Sequence, residues 1–159
     1  MVGTGAVLAA GVVAATMVLA LEEDDTVSAA PAVRGGGGGK LTTQQREERR
    51  AAVAEVRDQG YAPQDLDDYK IDHLLRVIVG EPVGDTPPGM RAFFFVDGAF
   101  IGNDATAPSR ELRPGRQLER NITLVYTVAS GDEERVHFVW DGKELEPQEQ
   151  IPPAGERAP

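Results

Sequence analysis

In residues 91–102, an aromatic run and a second apolar run flank the pair Asp97-Gly98. A two-residue turn of the mirror-image type needs positive φ angles, which Asp and Gly adopt at little steric cost, so the segment predicts a β-hairpin. In its first strand, alternate residues point to opposite faces, and both faces are apolar. One face carries Phe93 and Phe95, and the other carries Ala92, Phe94 and Val96. We therefore expect this strand to lie centrally in a sheet that is covered on both sides.

A helix is predicted from residue 43 to about residue 59. Thr42 and Gln45 fit a capping box at its start, and Gly60 fits the residue that ends it. Its apolar positions form a narrow stripe of Ala52, Val53 and Val56. The surrounding charges nearly cancel along the sequence, which is typical of a solvated face. A helix lying on a membrane surface would have a larger apolar face and a net positive charge, so that alternative is disfavoured.

Four further segments are predicted strands. Residues 74–79 are rich in β-branched side chains and end at a glycine. Residues 121–128 and 135–140 alternate apolar and polar positions on either side of a turn, so they are expected to pair as a second hairpin. A tight turn at Asp141-Gly142 then leads into a short strand at residues 143–145.

The remaining segments complete the predicted architecture. Residues 105–119 contain two prolines and predict an irregular loop, and the proline-rich chain from Pro147 is expected to run free. No segment after residue 74 has a helical period long enough for a parallel crossover, so the predicted fold class is α+β, with one helix packed on an antiparallel sheet of five to six strands. The domain is placed at residues 41–153, with a disordered tail at 154–159. Its core is predicted to contain Phe93, Phe95, Phe138 and Trp140.

Residues 2–21 contain no charged side chain. A helix of that length spans about 30 Å, the thickness of a bilayer core, so a single transmembrane helix is the first interpretation. A secretory signal peptide is the second, since small residues suited to cleavage follow at 27–32, and a buried soluble helix is the third. Residues 22–40 include five consecutive glycines and predict a flexible tether. The glycines are contiguous and no Gly-Lys-Ser/Thr sequence follows them, which argues against a nucleotide-binding loop.

Composition narrows the possible functions. The chain has 159 residues, which leaves room for one domain of roughly 100 residues after the N-terminal segment. It has no cysteine, which excludes disulfides, thiolate metal sites and cysteine nucleophiles. Its 26 acidic and 16 basic residues give a formal charge of -10, which disfavours nucleic acid as a partner. His73 and His137 lack a metal-binding spacing, and the acidic residues at 65–72 lack the glycine and glutamate of a calcium loop, so no metal and no cofactor are predicted.

Six motifs follow one another in residues 61–153. They are Tyr61-x-Pro63-x-Asp65-Leu66, LLRVIVGEP, RAFFFVDGAFIGNDATAPS, TLVYTV, RVHFVWDGKELEP and Pro152-Pro153. Their order resembles that of the LppP/LprE lipoprotein family of actinobacteria, and the resemblance implies a small exported envelope protein whose biochemical function is largely uncharacterised. The chain differs from the family in having no lipobox cysteine and no paired cysteines. A lipid anchor is therefore impossible, and a helix at residues 2–21 would be the membrane anchor.

Two signals for location point in opposite directions. Arg34 and Lys40 follow the apolar segment and weakly favour a cytoplasmic domain. The resemblance implies export over a much longer stretch of sequence. The prediction is a single-pass protein of the plasma membrane with its domain outside the cytoplasm, and the alternative is secretion after cleavage of a signal peptide.

The predicted function is a non-enzymatic envelope module that binds a glycan, a lipid or a protein partner. The arginines of residues 110–120 form a basic patch that could meet an anionic glycan or lipid, although pairing within this acidic domain is the favoured interpretation. The alternative function is a carboxylate-dependent hydrolase, with Asp97, Asp104 and Asp141 as candidates. Asp97 and Asp141 each precede a glycine in a tight turn and no nucleophile motif is present, so catalysis is disfavoured. No catalytic or ligand-binding residue is assigned from the sequence.

Overall fold

The structure, a computed structural model, describes residues 40–158, which form eight strands, one long helix and one short helix. In chain order these are α1 (Thr43–Asp58), β1 (Tyr61–Pro63), β2 (Leu75–Pro82), β3 (Arg91–Val96), β4 (Ala99–Asn103), β5 (Glu111–Gln117), β6 (Asn121–Thr127), β7 (Glu133–Trp140), β8 (Leu145–Pro147) and α2 (Ala154–Arg157). The predicted membrane segment at 2–21, and the predicted tether up to residue 39, lie outside the described residues. Within residues 40–158, no helix is both long and apolar enough to cross a bilayer.

The strands form two antiparallel sheets of four strands each, and both sheets follow chain order. The first sheet contains β1 to β4, and the second contains β5 to β8. The predicted α+β class with antiparallel pairing is confirmed, whereas the prediction of a single sheet with five to six strands is wrong. The main difference lies in residues 105–119, where β5 forms in place of the expected loop. Pro114 is tolerated in β5 because this strand has a neighbour on one side only, and its register with β6 shifts after Pro114.

Two local predictions, one for the β3–β4 turn and one for the start of α1, are confirmed. Asp97 and Gly98 join β3 to β4 with φ angles of 48° and 81°, as the mirror-image turn requires. The capping box also forms at the start of α1. Thr42 Oγ1 accepts a hydrogen bond from the Gln45 N–H at 3.1 Å, and Gln45 Oε1 accepts one from the Thr42 N–H at 2.9 Å.

The first sheet is covered on both faces, as predicted from the aromatic strand β3. One face packs on the second sheet. The residues of that layer are Leu75, Val77, Val79, Ala92 and Phe94 from the first sheet and Leu112, Ile122, Leu124, Tyr126, Val136 and Phe138 from the second. The other face packs on α1 and the chain that follows it. The residues of that layer are Ile78, Phe93 and Phe95 with Ala52, Val56, Tyr61 and Tyr69.

Three of the four predicted core aromatics are buried, and the fourth is not. Phe93, Phe95 and Phe138 are buried, which confirms their predicted role. Trp140 is only half-buried at the margin of the core between the sheets. It stands at the end of β7, where its neighbour across the ladder is Leu145 of the three-residue strand β8. So short an edge strand leaves part of the indole uncovered.

The C-terminal chain does not run free from Pro147, so that prediction is wrong. Residues 154–157, predicted to be disordered, form α2, and Arg157 is only 4% exposed. The N–H of Ala129 donates to the carbonyl of Glu156 at 2.6 Å, and the N–H of Arg110 donates to the carbonyl of Arg157 at 2.6 Å. These bonds and the buried guanidinium hold the C-terminal tail against the β6–β7 loop, which contains Ala129, and against the chain just before β5, which contains Arg110.

Candidate functional site

One side of α1 carries a cluster of arginines. Arg49, Arg50 and Arg57 follow Arg46 by three, four and eleven residues, and this spacing places all four on one side of the helix. This side borders the stripe of Ala52 and Val56, which are buried against the first sheet. The basic side of the helix therefore lies next to the apolar stripe that builds the core.

Two acidic residues of α1 are engaged away from the arginine cluster. Glu48 forms an ion pair with Arg76 of β2 and accepts a hydrogen bond from the Tyr69 hydroxyl at 3.0 Å. Glu55 accepts a hydrogen bond from Gln59 Nε2 at 2.9 Å. The charges of α1 nearly cancel along the sequence, but Glu48 and Glu55 have partners away from the arginines. The arginine cluster therefore has a local excess of positive charge.

The arginines border an open groove of about 700 Å³, which we call the arginine groove. Its apolar lining is Leu41, Val53, Ala54 and Leu66, and its polar lining is Arg46, Arg49, Arg50, Arg57 and Asp58. The groove therefore combines an apolar floor with a rim that is mainly cationic. This combination suits an anionic ligand that also has an apolar part.

The loop after β1 supplies Leu66 to the arginine groove. Asp65 Oδ1 accepts a hydrogen bond from the Asp67 N–H at 2.7 Å, and the N–H of Tyr69 donates to the carbonyl of Leu66 at 3.2 Å. An aspartate that closes such a turn is using its side chain to order the backbone. The acidic loop considered for calcium thus forms one wall of the groove.

Arg49 is the arginine of the groove that has a solvent-shielded donor without a partner among residues 40–158. Its side chain is 27% exposed, and Nη2 lies 3.9 Å from Asp67 Oδ1, beyond hydrogen-bond length. The Asp67 side chain is 94% exposed, so this ion pair is weak. Arg49 Nε is shielded from solvent and has no hydrogen-bond partner among residues 40–158. A buried donor without an acceptor costs free energy, and an anionic ligand in the groove would supply the acceptor.

This cluster was not predicted from the sequence, because the charges of α1 were added along the chain and were not assigned to faces of the helix. Four arginines and four acidic residues alternate between residues 46 and 58, so the helix was interpreted as a solvated face. The signal that could have revealed the cluster is the helical spacing of Arg46, Arg49, Arg50 and Arg57 with Val53 between them. The same spacing places Glu48 and Glu55 on the other side of the helix, and the structure shows Glu48 paired there with Arg76.

The three candidate carboxylates of the hydrolase hypothesis have separate surroundings. Asp97 is the first residue of the β3–β4 turn. Asp141 Oδ1 accepts hydrogen bonds from the N–H groups of Lys143 at 2.6 Å and Glu144 at 2.7 Å, so it orders the turn before β8. Asp104 is buried between other partners. None of the three shares a hydrogen-bond partner with another in the described part of the chain.

Asp104 is 5% exposed and belongs to a buried polar network. Its Oδ1 accepts a hydrogen bond from the Ala92 N–H at 2.9 Å, and its Oδ2 accepts one from the Tyr126 hydroxyl at 3.1 Å. Burial raises the pKa of Asp104 to about 6, although the two hydrogen bonds and the charge of Arg157 oppose the rise. Burial and the neighbouring carboxylate likewise raise the pKa of Tyr126.

Arg157 completes this network from the C-terminal side. Its Nε donates to the carbonyl of Pro152 at 2.7 Å, and its Nη1 donates to the carbonyl of Ala107 at 2.6 Å and to Ser109 Oγ at 2.8 Å. Charged and polar groups that are buried together in this way stabilise the position of the tail. The network is enclosed, so it gives a substrate no access.

The predicted basic patch at 110–120 and the two histidines form no common site. Arg113 of β5 lies 2.8 Å from Glu133 of β7, and both side chains are exposed. His137 Nδ1 lies 2.9 Å from Glu149 Oε1 on the outer side of the second sheet. Within the part of the chain that the structure describes, no three histidine, aspartate or glutamate side chains are placed to hold a metal ion.

Comparisons with known proteins give no relative from which a function could be transferred. The sequence matches no protein-family model, and searches of curated proteins and of solved structures found no significant match. The resemblance to the LppP/LprE lipoproteins stays a prediction. Function is therefore inferred from the chemistry of the arginine groove.

Proposed function

We propose that the protein is a non-enzymatic, extracytoplasmic binding module of the cell envelope, and that its arginine groove holds one anionic amphiphile. The observation that carries this proposal is the helix face on which Arg46, Arg49, Arg50 and Arg57 surround an apolar floor. A carboxylate or phosphate headgroup would pair with the guanidinium groups, and an acyl chain would cover Val53 and Leu66.

The charge distribution favours a single ligand over an extended anionic surface. The lining of the groove has four arginines against one aspartate, whereas the whole chain has a formal charge of -10. Charges farther than about 8 Å away are largely screened at physiological salt, so a small ligand inside the groove responds to the arginines. A membrane surface would also meet the acidic remainder of the domain and would be repelled.

The headgroup is expected to bind nearest Arg49. Its Nε lacks an acceptor within the described residues, and its pair with Asp67 is long and exposed. A guanidinium binds carboxylate or phosphate oxygens through two parallel N–H donors, and such charge-assisted bonds are about twice as strong as neutral ones. The tail adds about 0.8 kcal/mol for each CH₂ group that it buries.

The surroundings of the candidate carboxylates support a binding module over a hydrolase. Asp104 is enclosed, and both of its oxygens accept hydrogen bonds from the domain itself. Asp97 lies in the β3–β4 turn, and Asp141 lies in the turn that its side chain orders. Hydrolysis would require a carboxylate that faces a substrate.

Hexyl phosphate is a suitable first probe, because it is soluble and has both an anionic headgroup and an apolar tail. The full chain in a sugar-free zwitterionic detergent would be titrated with it by calorimetry. We expect saturable binding, with weaker binding of inorganic phosphate and of hexanol, since each lacks one half of the ligand. The double variant Arg49→Gln/Arg50→Gln should lose at least about tenfold in affinity, or about 1.4 kcal/mol.

The matched control is Arg113→Gln/Arg135→Gln, which removes two exposed arginines that pair with Glu133 on the second sheet. This variant has the same change of net charge and should bind as the wild type does. If both double variants lose affinity equally, binding follows net charge and the groove is not the site. If the wild type gives no saturable binding, the proposed ligand class is wrong.

The proposed location has its own test. It rests on the resemblance to exported lipoproteins and on the uncharged segment at residues 2–21. A reporter that works only after export, fused after residue 159, should be active, and a reporter that works only in the cytoplasm should be silent. Activity of the cytoplasmic reporter would overturn the envelope location, and membrane fractionation of the same fusion would separate an anchor from a cleaved signal.

A further inference from the structure

A second cavity, of about 440 Å³, lies where the edges of the two sheets face each other. β4 is the last strand of the first sheet, and β8 is the last strand of the second. The cavity is lined from β4 by Ile101 and Gly102 and from the other side by Trp140, Lys143, Glu144 and Leu145. We call it the tryptophan cavity. It shares no lining residue with the arginine groove.

Trp140 supplies a fixed aromatic surface in this cavity. Its backbone N–H donates to the carbonyl of Arg120 at 2.9 Å, and it pairs with Leu145 across the β7–β8 ladder. One part of the indole packs against the core between the sheets, and the remainder is uncovered. A half-exposed aromatic side chain that is held by its strand can contact a ligand with little loss of conformational entropy.

The turn before β8 presents two charged side chains beside the indole. Asp141 Oδ1 accepts from the N–H groups of Lys143 and Glu144, and the Asp141 N–H donates to the carbonyl of Glu144 at 3.2 Å. These bonds hold the pKa of Asp141 below its usual value, so its carboxylate stays charged. The side chains of Lys143 and Glu144 form no ion pair with any residue of the described range 40–158.

The β4 side of the cavity offers exposed backbone. Gly102 has a φ of 148°, and no atom of the described chain lies within 4 Å of the position that a Cβ would occupy. As an edge strand, β4 has backbone N–H and carbonyl groups that no neighbouring strand can pair. The cavity is therefore bordered by an edge strand on one side and by the charged residues of the turn on the other.

We propose that the tryptophan cavity is a saccharide-binding site. A sugar ring has one face of C–H groups, which packs on an aromatic surface, and a rim of hydroxyls that both donate and accept hydrogen bonds. The Lys143 ammonium donates, the Glu144 carboxylate accepts, and the open edge of β4 does both. A volume of about 440 Å³ lies within the range of small-ligand sites.

An extended peptide fits these edges less well. β8 has three residues, and the ladder between β3 and β4 changes register between Phe94 and Phe95. Addition of a strand depends on a regular row of backbone hydrogen bonds, and neither edge provides one of useful length. A purely apolar ligand would leave Lys143 and Glu144 unused.

The test uses Trp140 itself, because it is the one tryptophan of the chain. The full chain in a sugar-free zwitterionic detergent would be titrated separately with maltotriose and with chitotriose. We expect at least one of these sugars to produce a saturable change in tryptophan emission, since the ring would cover the exposed part of the indole. The sugar that responds identifies the preferred class of saccharide.

Variants distinguish the cavity from non-specific contact. Glu144→Gln and Lys143→Ala should each weaken the affinity of the responding sugar at least fivefold, while Glu146→Gln, a nearby change on β8 outside the cavity lining, should leave it unchanged. Trp140→Phe keeps an aromatic ring and should bind more weakly in saturation-transfer NMR, which does not need the tryptophan signal. The proposal is overturned if neither sugar changes the emission, or if Glu144→Gln and Lys143→Ala both bind as the wild type does. Hexyl phosphate should leave the emission unchanged, so this site and the arginine groove can fail independently.

Discussion

Two arginines of this domain are shielded from solvent, and they differ in the hydrogen-bond partners that the fold gives them. Arg157 is 4% exposed, and its guanidinium donates three hydrogen bonds, to Pro152, Ala107 and Ser109, at 2.6 to 2.8 Å. The side chain of Arg49 is 27% exposed, its Nε has no acceptor within residues 40–158, and its contact with Asp67 is 3.9 Å long. The fold supplies acceptors to both Nε and Nη1 of Arg157, whereas it supplies none to Nε of Arg49 within residues 40–158.

The difference separates a structural charge from a candidate binding charge. A buried charge with complete hydrogen bonding fixes the groups around it, and removal of one member leaves the others unsatisfied. A partly shielded charge without partners contributes little to the fold and keeps its donors for a ligand. Variants of the two regions should therefore affect different properties of the protein.

Removal of Arg157 is expected to have the largest effect on stability. Arg157→Ala leaves the carbonyls of Pro152 and Ala107 and the hydroxyl of Ser109 without their donor, and it takes a positive charge away from the buried Asp104. We expect a loss of about 3 kcal/mol or more in the free energy of unfolding, because several buried acceptors lose their partner at once.

The measurement is urea denaturation followed by the emission of Trp140. Arg135→Ala is the control, since Arg135 is exposed on β7 and pairs only with Glu133, which is exposed as well. The control should shift the midpoint little. A wild-type midpoint for Arg157→Ala would mean that the C-terminal tail detaches at no cost, and the contrast between the two arginines would disappear.

Asp104 provides the second test of the buried network, through pH. Its folded pKa of about 6 lies above its ordinary value of 3.8, so the folded state binds the proton more tightly than the unfolded chain does. The contribution of this group to stability is complete below about pH 4 and is lost as the pH rises through about 6. The loss should be on the order of 2–3 kcal/mol.

Asp104→Asn should remove this dependence, because the amide does not titrate and can still accept the hydrogen bond from Ala92. Denaturation at about pH 4, 5, 6 and 7 gives the slope for each variant. Asp141→Asn is the control, because the contribution of Asp141 to the pH dependence of stability has the opposite sign to that of Asp104. The backbone N–H groups of Glu144 and Lys143 lower the pKa of Asp141, so its contribution is present at neutral pH and is lost as the pH falls. Identical slopes for the wild type and Asp104→Asn would contradict the assignment.

Local signals in the sequence were sufficient for the β3–β4 turn and for the start of α1. Asp97-Gly98 predicts its turn, and Thr42 with Gln45 predicts its cap, because each depends on residues within three positions of one another. Alternation in β3 also predicted two covered faces. This alternation could not predict that one of the two faces is covered by another sheet, because alternation indicates burial and does not identify the neighbouring element.

Distant partners explain what the sequence could not predict. Arg157 follows a proline-rich segment, and two of its acceptors, Ala107 and Ser109, lie about 50 residues earlier in the chain. β5 was missed because Pro114 is unfavourable in a central strand, and the position of β5 at a sheet edge is a property of the whole fold. The arginine groove was missed for a different reason: the charges of α1 were summed along the sequence and were not assigned to helix faces, and Leu66 joins the groove from a separate loop.

Arg49 should give the smallest change in stability and the clearest change in binding. Arg49→Gln removes a long, exposed ion pair and a shielded donor that has no partner in the part of the chain that the structure describes, so the free energy of unfolding should change by less than about 1 kcal/mol. The affinity for hexyl phosphate should fall severalfold in the same variant. Raising NaCl from about 0.05 M to about 0.5 M should weaken wild-type binding in the same direction, because the Debye length shortens from roughly 14 Å to roughly 4 Å. A loss of stability as large as that of Arg157→Ala would instead place Arg49 among the structural charges, and the groove would lose the residue on which its proposed function most depends.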